Sequence, residues 1–549
     1  MTHSQKRTIL FAVLALVAAA LAFWIVKVTA ASTSGAPTVS ADSADTSTSD
    51  STAASTLSAA SAEFVFSDSG IAVTGSSSGT EISGTALTID EAGTYTVSGA
   101  CADGSIKIKK GTTGVTLILN GLDLTSSATA PITCAKSSEV TILAADGTEN
   151  VLTDSAQNND GEYPENTDAE NAVIKCKDGS TVTLGGTGAL TVTANGKNGI
   201  KSGAATEEDG EASLTIRDLT LHIDAPVNDA INAEQLLNVE SGTLTIDAAD
   251  DAIHCDMILN IGADGSDGPT IDITSCYEGL EGAELNVLSG NITINASDDC
   301  MNATNSDLTG YAFTLTISGG TIDAYGSSGD GFDSNGDLTI TGGTVVVWTA
   351  NTADNEPLDA DGTITVTGGT VLAAGGSSGM GMSLEAAQPC VIYGASSLGG
   401  TPGSAQSSSL IASGADVTIE DSSGSAVYSG TARCNACFVL FSSADVTADG
   451  TYTLKAGNSS AEGIAQSGTV STGMGMGGGF RGGQKPDGEP PEGFDGQKPN
   501  GGKTEWERPD LADGERPEPP DGQGKSKDGR VPAGDNASDT NDSDTTQAA

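Results

Sequence analysis

The sequence predicts an all-β protein built as a parallel β-helix, with a small C-terminal β cap and a disordered spacer and tail outside the fold. Three observations carry this expectation. A short phrase returns from Asn228 to Asp361, with apolar residues at Ile231, Ile253, Leu280, Met301, Phe332 and Leu358, spaced by 22, 27, 21, 31 and 26 residues. A period of roughly 20–30 residues with variable insertions marks a solenoid. Between the phrases lie alternating runs such as Leu244-Thr245-Ile246, Ile292-Thr293-Ile294 and Leu338-Thr339-Ile340, many followed by Gly-Gly turns. Apolar–polar–apolar alternation is the period of a strand with one buried face. Two residues after each apolar position the chain places Cys255, Gly282, Ala303, Ser334 and Ala360, a small inward column of the kind stacked coils require.

Taken from the N-terminus, residues 1–30 are expected to be a signal peptide or an N-terminal membrane anchor. His3, Lys6 and Arg7 precede an uncharged run from Ile9 to Val26. That run is long for a signal core and just long enough to span a bilayer, so cleaved and retained forms both stay open. Either way the remainder is expected to be exported, secreted or held at the cell surface. Residues 31–62 are Ser, Thr, Ala and Asp with almost nothing apolar, the composition of a disordered spacer. The β-helix is expected over 63–403, with weaker phrases at Ile132-Thr133-Cys134, Ile174-Lys175-Cys176 and Ile200-Lys201-Ser202 and a polar loop over Asp154–Asn171. A cap over 404–457 would cover the open end of the solenoid. Residues 458–549 turn to Gly, Pro and charge, with nine of the 17 prolines between Pro486 and Pro532, and read as a disordered tail.

Charge narrows the partners. The formal net charge is −50, and the 215 residues from Asp218 to Ala432 hold 30 acids and no Lys or Arg. Nucleic acid and anionic membrane surfaces are thereby excluded as direct partners, apart from a retained N-terminal anchor. Cations, or ligands carried through cations, are favoured. The nine cysteines do not make a disulfide framework in a chain this long. Cys134, Cys176 and Cys255 fall in the small inward column, and Cys434 and Cys437 form a lone CxxC that could join or hold a metal.

The phrases place the acids in columns. Equivalent residues of successive rungs of a β-helix lie about 4.8 Å apart. Asp229, Asp251, Glu278, Asp299, Asp330 and Glu356 would form one column, and Asn232, His254, Glu281, Asn302, Asp333 and Asp359 a second beside it. Asp250 and Asp298 adjoin the first column. Two carboxylates at that spacing repel by about 0.9 kcal/mol in water and by several at a protein-like dielectric. Calcium resolves the repulsion, because it takes 6–8 oxygen ligands in irregular geometry. A solvated acidic face is the plainer alternative. Lys175 and Lys201 stand in the second column upstream, so those rungs should bind no calcium. Two further columns invite a reading. Thr245, Thr293, Thr316, Thr339 and Thr365 suggest one outward threonine stripe, and Tyr325 aligned under Trp348 suggests an aromatic pair for sugar rings.

As a set, several stretches resemble the carbohydrate-binding domain-containing proteins of exported Gram-positive origin. They are GVTLILNGLDL (Gly114–Leu124), AADDAIHCD (Ala248–Asp256), ASDDCMNA (Ala296–Ala303), the GGTV rungs and ADVTIEDSSGSAVYSG (Ala415–Gly430). The resemblance covers roughly residues 62–457. It implies a right-handed β-helix similar to that of pectate lyases, calcium on its surface, and binding to plant-wall polysaccharide, including acidic sugars bridged by calcium. The rival class is a polysaccharide lyase or hydrolase on the same fold. Asp250-Asp251 and Asp298-Asp299 look like the paired carboxylates of polygalacturonases. The companion Asn-Thr-Asp, Gly-His-Gly and Arg-Ile-Lys motifs are missing, and so is the Arg or Lys base of a pectate lyase between 218 and 432. The expectation is therefore a non-enzyme. A passive adhesin stiffened by calcium is the third reading.

Overall fold

Alternating Val, Ile, Leu and Thr become strands with one buried and one open face, and Gly-rich turns end each strand after a few residues. The computed structural model describes residues 60–350, 355–376, 383–394 and 409–471. These lie in one unit, Met1–Gly477. The expected N-terminal signal or anchor, nearly all of the spacer and nearly all of the tail fall outside the described residues. Among the described residues there are strands and turns and no helix.

Each repeat contributes three strands, and each strand pairs in parallel with its counterpart in the next repeat. One ladder runs from Ser105–Ile108 through Ile132–Cys134, Ala172–Cys176, Asn198–Ser202 and Ile231–Ala233 to Phe332–Ser334. A second runs from Glu139–Ala144 through Leu236–Val239 and Thr314–Ile317 to Ser383–Tyr393. The third runs from Glu149–Asp154 through Thr243–Ala248 and Asn291–Ala296 to Thr370–Gly375. In the first ladder Ile200, Ile231, Ile253, Leu280, Met301 and Phe332 are in register and fully buried, and a bridge from Phe332 to Leu358 continues the column. One apolar cluster runs through all three ladders. Continuous burial of that kind is what a parallel sheet with its other face open to water can offer.

One reading of the outer columns needs correction here. The threonine stripe divides: Thr245 and Thr293 lie on the third ladder, alternating there with Asp272 and Asp323, whereas Thr316, Thr339 and Thr365 pair consecutively on the second. Two strands per repeat carry the same alternation, so a single column mixed them. Upstream of those threonines the second ladder carries Asn238, Asn260 and Asn286; the Asn260 amide donates to Asn238 Oδ1 at 2.9 Å and that of Asn286 to Asn260 Oδ1 at 3.0 Å.

Both ends depart from parallel pairing. At the N-terminal end Ala60–Ser67 still pairs in parallel with Gly93–Cys101, and Gly70–Gly75 folds back on it in antiparallel pairing. At the other end Phe438–Ser442 pairs antiparallel with both Thr370–Gly375 and Ser383–Tyr393, and Gln466–Ser471 also joins Ser383–Tyr393. A separate four-stranded antiparallel sheet holds Ala426–Thr431, Asp416–Glu420, Thr451–Ala456 and Ser459–Ile464. Strands therefore continue to Ser471, past the expected boundary at 457. All nine cysteines are free and buried, so Cys434 and Cys437 are not joined; the Cys434 thiol donates to Thr349 O at 3.0 Å.

Candidate metal and carbohydrate site

The acid phrases stack backbone on backbone. The amides of Ala230, Ala252, Gly279, Cys300 and Gly331 donate to the carbonyls of Asp251, Glu278, Asp299, Asp330 and Glu356 at 2.9–3.3 Å. These bonds hold the first column in line, one acid per rung. Approach is close: a Cβ on Gly279 would stand 2.3 Å from Cys300 O, so that position takes no side chain without a shift. Three acids also cap the following rung. Asp229, Asp299 and Asp330 each place Oδ1 on the amide of Asp251, Asp330 and Glu356 respectively, at 3.3, 2.6 and 2.5 Å.

The other carboxylate oxygen turns toward the second column, which is also in register: Lys201, Asn232, His254, Glu281, Asn302 and Asp333. Here the rungs differ in charge. Asn232 donates to Asp229 Oδ2 at 2.6 Å and Asn302 to Asp299 Oδ2 at 3.3 Å, while His254 Nδ1 lies 3.0 Å from Asp251 Oδ2. In the remaining rungs the same spacing sets acid beside acid: Glu278 with Glu281, Asp330 with Asp333 and Glu356 with Asp359. Glu278 and Glu281 lean on neighbouring rungs, Glu278 accepting from Asn302 Nδ2 at 3.1 Å and Glu281 reaching His254 Nδ1 at 2.9 Å. The upstream end meets Lys201, whose ammonium lies 3.2 Å from Asn232 Oδ1 and 3.4 Å from Glu234.

Asp330, Asp333 and Asp359 bring carboxylate oxygens within 4.8 Å of one another, and no ion pair among the described residues includes them. Asp229, Asp250 and Asp251 make a similar group, with Asp250 exposed. Asp298 stands outside the column, and its carboxylate is the first cause that raises the Tyr277 hydroxyl. Burial is the first cause lifting the carboxyls: Glu278 rises to about 9, Asp299 to about 8, Asp330 to about 7 and Asp333 to about 6, with neighbouring acids adding to each. Burial also acts on Glu281, but the His254 hydrogen bond and charge outweigh it and bring that carboxyl down.

Calcium fits the downstream group by the chemistry of its donors. All three side chains present oxygen, as a hard cation requires. In the adjacent rung Asn302, 8 % exposed, has a buried Oδ1 without a donor. Its Nδ2 is taken by Glu278 and Asp299, which leaves an amide oxygen free as a further hard ligand beside Asp333, its register partner.

The aromatic expectation fails on burial. Tyr325 and Trp348 are register partners, but Trp348 is 1 % exposed and clusters with Leu372 and Tyr393 of the last rungs and with Val417 and Phe441 of the cap region. Arg433 covers the Tyr325 ring at 5.3 Å and pairs with Asp323 at 3.0 Å and with Asn295. No open stacking face is left there. The aromatic ring beside the acids is Tyr277, 46 % exposed, which sequence reading passed over as part of a phrase.

A family model described as carbohydrate-binding domain-containing protein matches residues 83–379, just over half of the chain. A protein of that description from Acetivibrio thermocellus is 38 % identical over 123 residues, which are 22 % of this chain and 42 % of the relative. The chain thus spans under half the length of that curated relative. The solved structure of the polysaccharide lyase-like protein from C. thermocellum, a gadolinium derivative, is 22 % identical with a TM-score of 0.28; the match covers 56 % of this chain and 92 % of that one. With its family model matched over more than half its length, the chain belongs to the carbohydrate-binding domain-containing protein family.

Proposed function

We propose that this is an exported, non-catalytic polysaccharide-binding protein, wound as a right-handed parallel β-helix, that holds acidic, pectin-like polysaccharide through calcium. Family membership supports a carbohydrate partner. The observation that carries the calcium reading is the group Asp330, Asp333 and Asp359, three converging carboxylates beside the donorless Asn302 oxygen. These four residues would hold the ion. Calcium, when bound, supplies the positive charge through which two polyanions can meet. In other rungs Lys201, Asn232 and Asn302 already serve the neighbouring side chains, so those rungs ask for no calcium. Tyr277 offers a sugar ring an apolar face next to the same column.

Against catalysis stands the lack of an Arg or Lys base beside the downstream acids. No Lys or Arg occurs between 218 and 432, and the next one, Arg433, is engaged with Asp323 and Asn295 on the third ladder rather than the first. The test is oligogalacturonate binding with and without calcium. Binding is expected only with calcium, to vanish in chelator, and to withstand moderate salt better than a screened long-range attraction would. Asp330→Asn with Asp333→Asn should reduce calcium uptake and polysaccharide retention together. Equal binding in chelator, or release of unsaturated products or new reducing ends by the pure protein, would overturn it.

A further inference from the structure

His254 is encircled by acids. Its Nδ1 lies 3.0 Å from Asp251 Oδ2 and 2.9 Å from Glu281 Oε2, and its Nε2 lies 2.8 Å from Asp256 Oδ1. An ionised carboxylate only accepts, so once a metal takes the place of the Nδ1 proton of this ring, Asp256 keeps the remaining proton on Nε2. The Nδ1 lone pair then faces two carboxylate oxygens, three acceptors converging on one point. A proton on Nδ1 serves one of those oxygens well and the other poorly, because one N–H has one axis. A divalent cation serves all three.

We propose that Asp251, His254 and Glu281 form a binding site for a first-row divalent transition ion of the zinc class, distinct from the calcium site at Asp330, Asp333 and Asp359. The spacing fits. Ligands bound at about 2.0–2.1 Å lie about 2.9 Å apart when cis on an octahedron and about 3.4 Å apart on a tetrahedron. The two measured separations from Nδ1 match the first and need only a small opening for the second. The second shell fits as well, since a ligating imidazole characteristically gives its far N–H to a carboxylate, the position of Asp256. Donor type separates the two sites: an imidazole nitrogen suits zinc, nickel or cobalt, whereas calcium takes oxygen. The three side chains are 12, 19 and 15 % exposed, so the open coordination positions are reachable from solvent. Three protein ligands with open positions could bind one further small anion or a sugar hydroxyl. This inference stands on the His254 geometry and does not depend on the polysaccharide reading.

The experiment uses the purified full chain stripped of metal at pH 7.5, titrated with Zn2+ by calorimetry and with Co2+ by visible absorbance. One site is expected, with Co2+ bands of mixed nitrogen and oxygen ligation. His254→Gln should weaken it at least about 100-fold and Asp256→Asn about 10–100-fold. Asp333→Asn should leave Zn2+ binding unchanged while lowering calcium uptake, which keeps failure of one site apart from failure of the other. Because a variant could lose its fold, zinc-edge absorption on the unaltered protein must also show imidazole scattering. Absence of saturable Zn2+ binding, equal binding by His254→Gln in a folded protein, or an all-oxygen zinc shell would each overturn the proposal and leave a doubly protonated imidazole as the ladder's internal cation.

Discussion

Lys175 stands in register between Thr133 and Lys201 in the upstream continuation of the second column. Burial first, then the charge of Lys201, brings its ammonium down from 10.5 to about 8. The charged form is therefore disfavoured in the folded chain. Below pH 8 both states are protonated and the whole penalty is present. Between about 8 and 10.5 the unfolded chain holds the extra proton, so stability rises with pH across that window. Lys175→Met should stabilise the protein by roughly 1–3 kcal/mol at pH 7 and remove that rise. Paired denaturation curves at pH 7 and 10 check this, and an unchanged difference between the two proteins would refute it. At this same scale the sequence showed the columns but not the individual partners. Register follows from period, so Asp229 through Asp333 could be aligned from spacing. What each acid leans on depends on side-chain direction, which spacing does not encode. His254 was therefore placed in the second column without a role of its own, and Asp256 was not linked to it. Trp348 was misread for a related reason: what covers a strand's outer face comes from residues about a hundred positions later.

Among elements, one side chain adds to the strand pairing of Phe438–Ser442 in joining the cap region to the third ladder. Arg433 reaches Asp323 and Asn295 and lies over Tyr325, close to the buried Trp348. Arg433→Ala should cost about 1–2 kcal/mol from the lost cation–π and charged hydrogen bonds. The loss should appear first as faster amide exchange in Phe438–Ser442, before global unfolding; uniform exchange across the ladders would show that the contact is incidental. The strand ladders themselves were legible because the apolar residues repeat at the strand period, and the small inward column survived intact. The division of the threonines between two ladders was not legible from three-residue runs. A longer window would have separated them: Leu237-Asn238-Val239, Leu259-Asn260-Ile261 and Leu285-Asn286-Val287 form their own series and continue into Thr316.

For the whole molecule, a net charge of −50 concentrated along one stretch sets the response to cations. Removing calcium from the full chain should lower the thermal midpoint by several degrees, because an ion bound only by the folded state stabilises it by mass action. Monovalent salt should restore part of that loss by screening. An unchanged melting curve after verified metal removal would count against the calcium site. The reversed strands at the two ends have a further consequence. Every parallel rung presents an edge that another rung could extend, so nothing within the repeat limits growth. At one end Gly70–Gly75 doubles back on Ala60–Ser67, and at the other Phe438–Ser442 and Gln466–Ser471 run against the last rungs. The protein is thereby prevented from becoming a polymer of itself. A variant truncated after residue 376 would present the bare edges of Ile364–Val366 and Thr370–Gly375, and it should join end to end into fibres with a repeat of about 4.8 Å along their length. Sedimentation and fibre diffraction would detect them; a truncated protein that stays folded and monomeric would mean that something other than strand direction stops the stack.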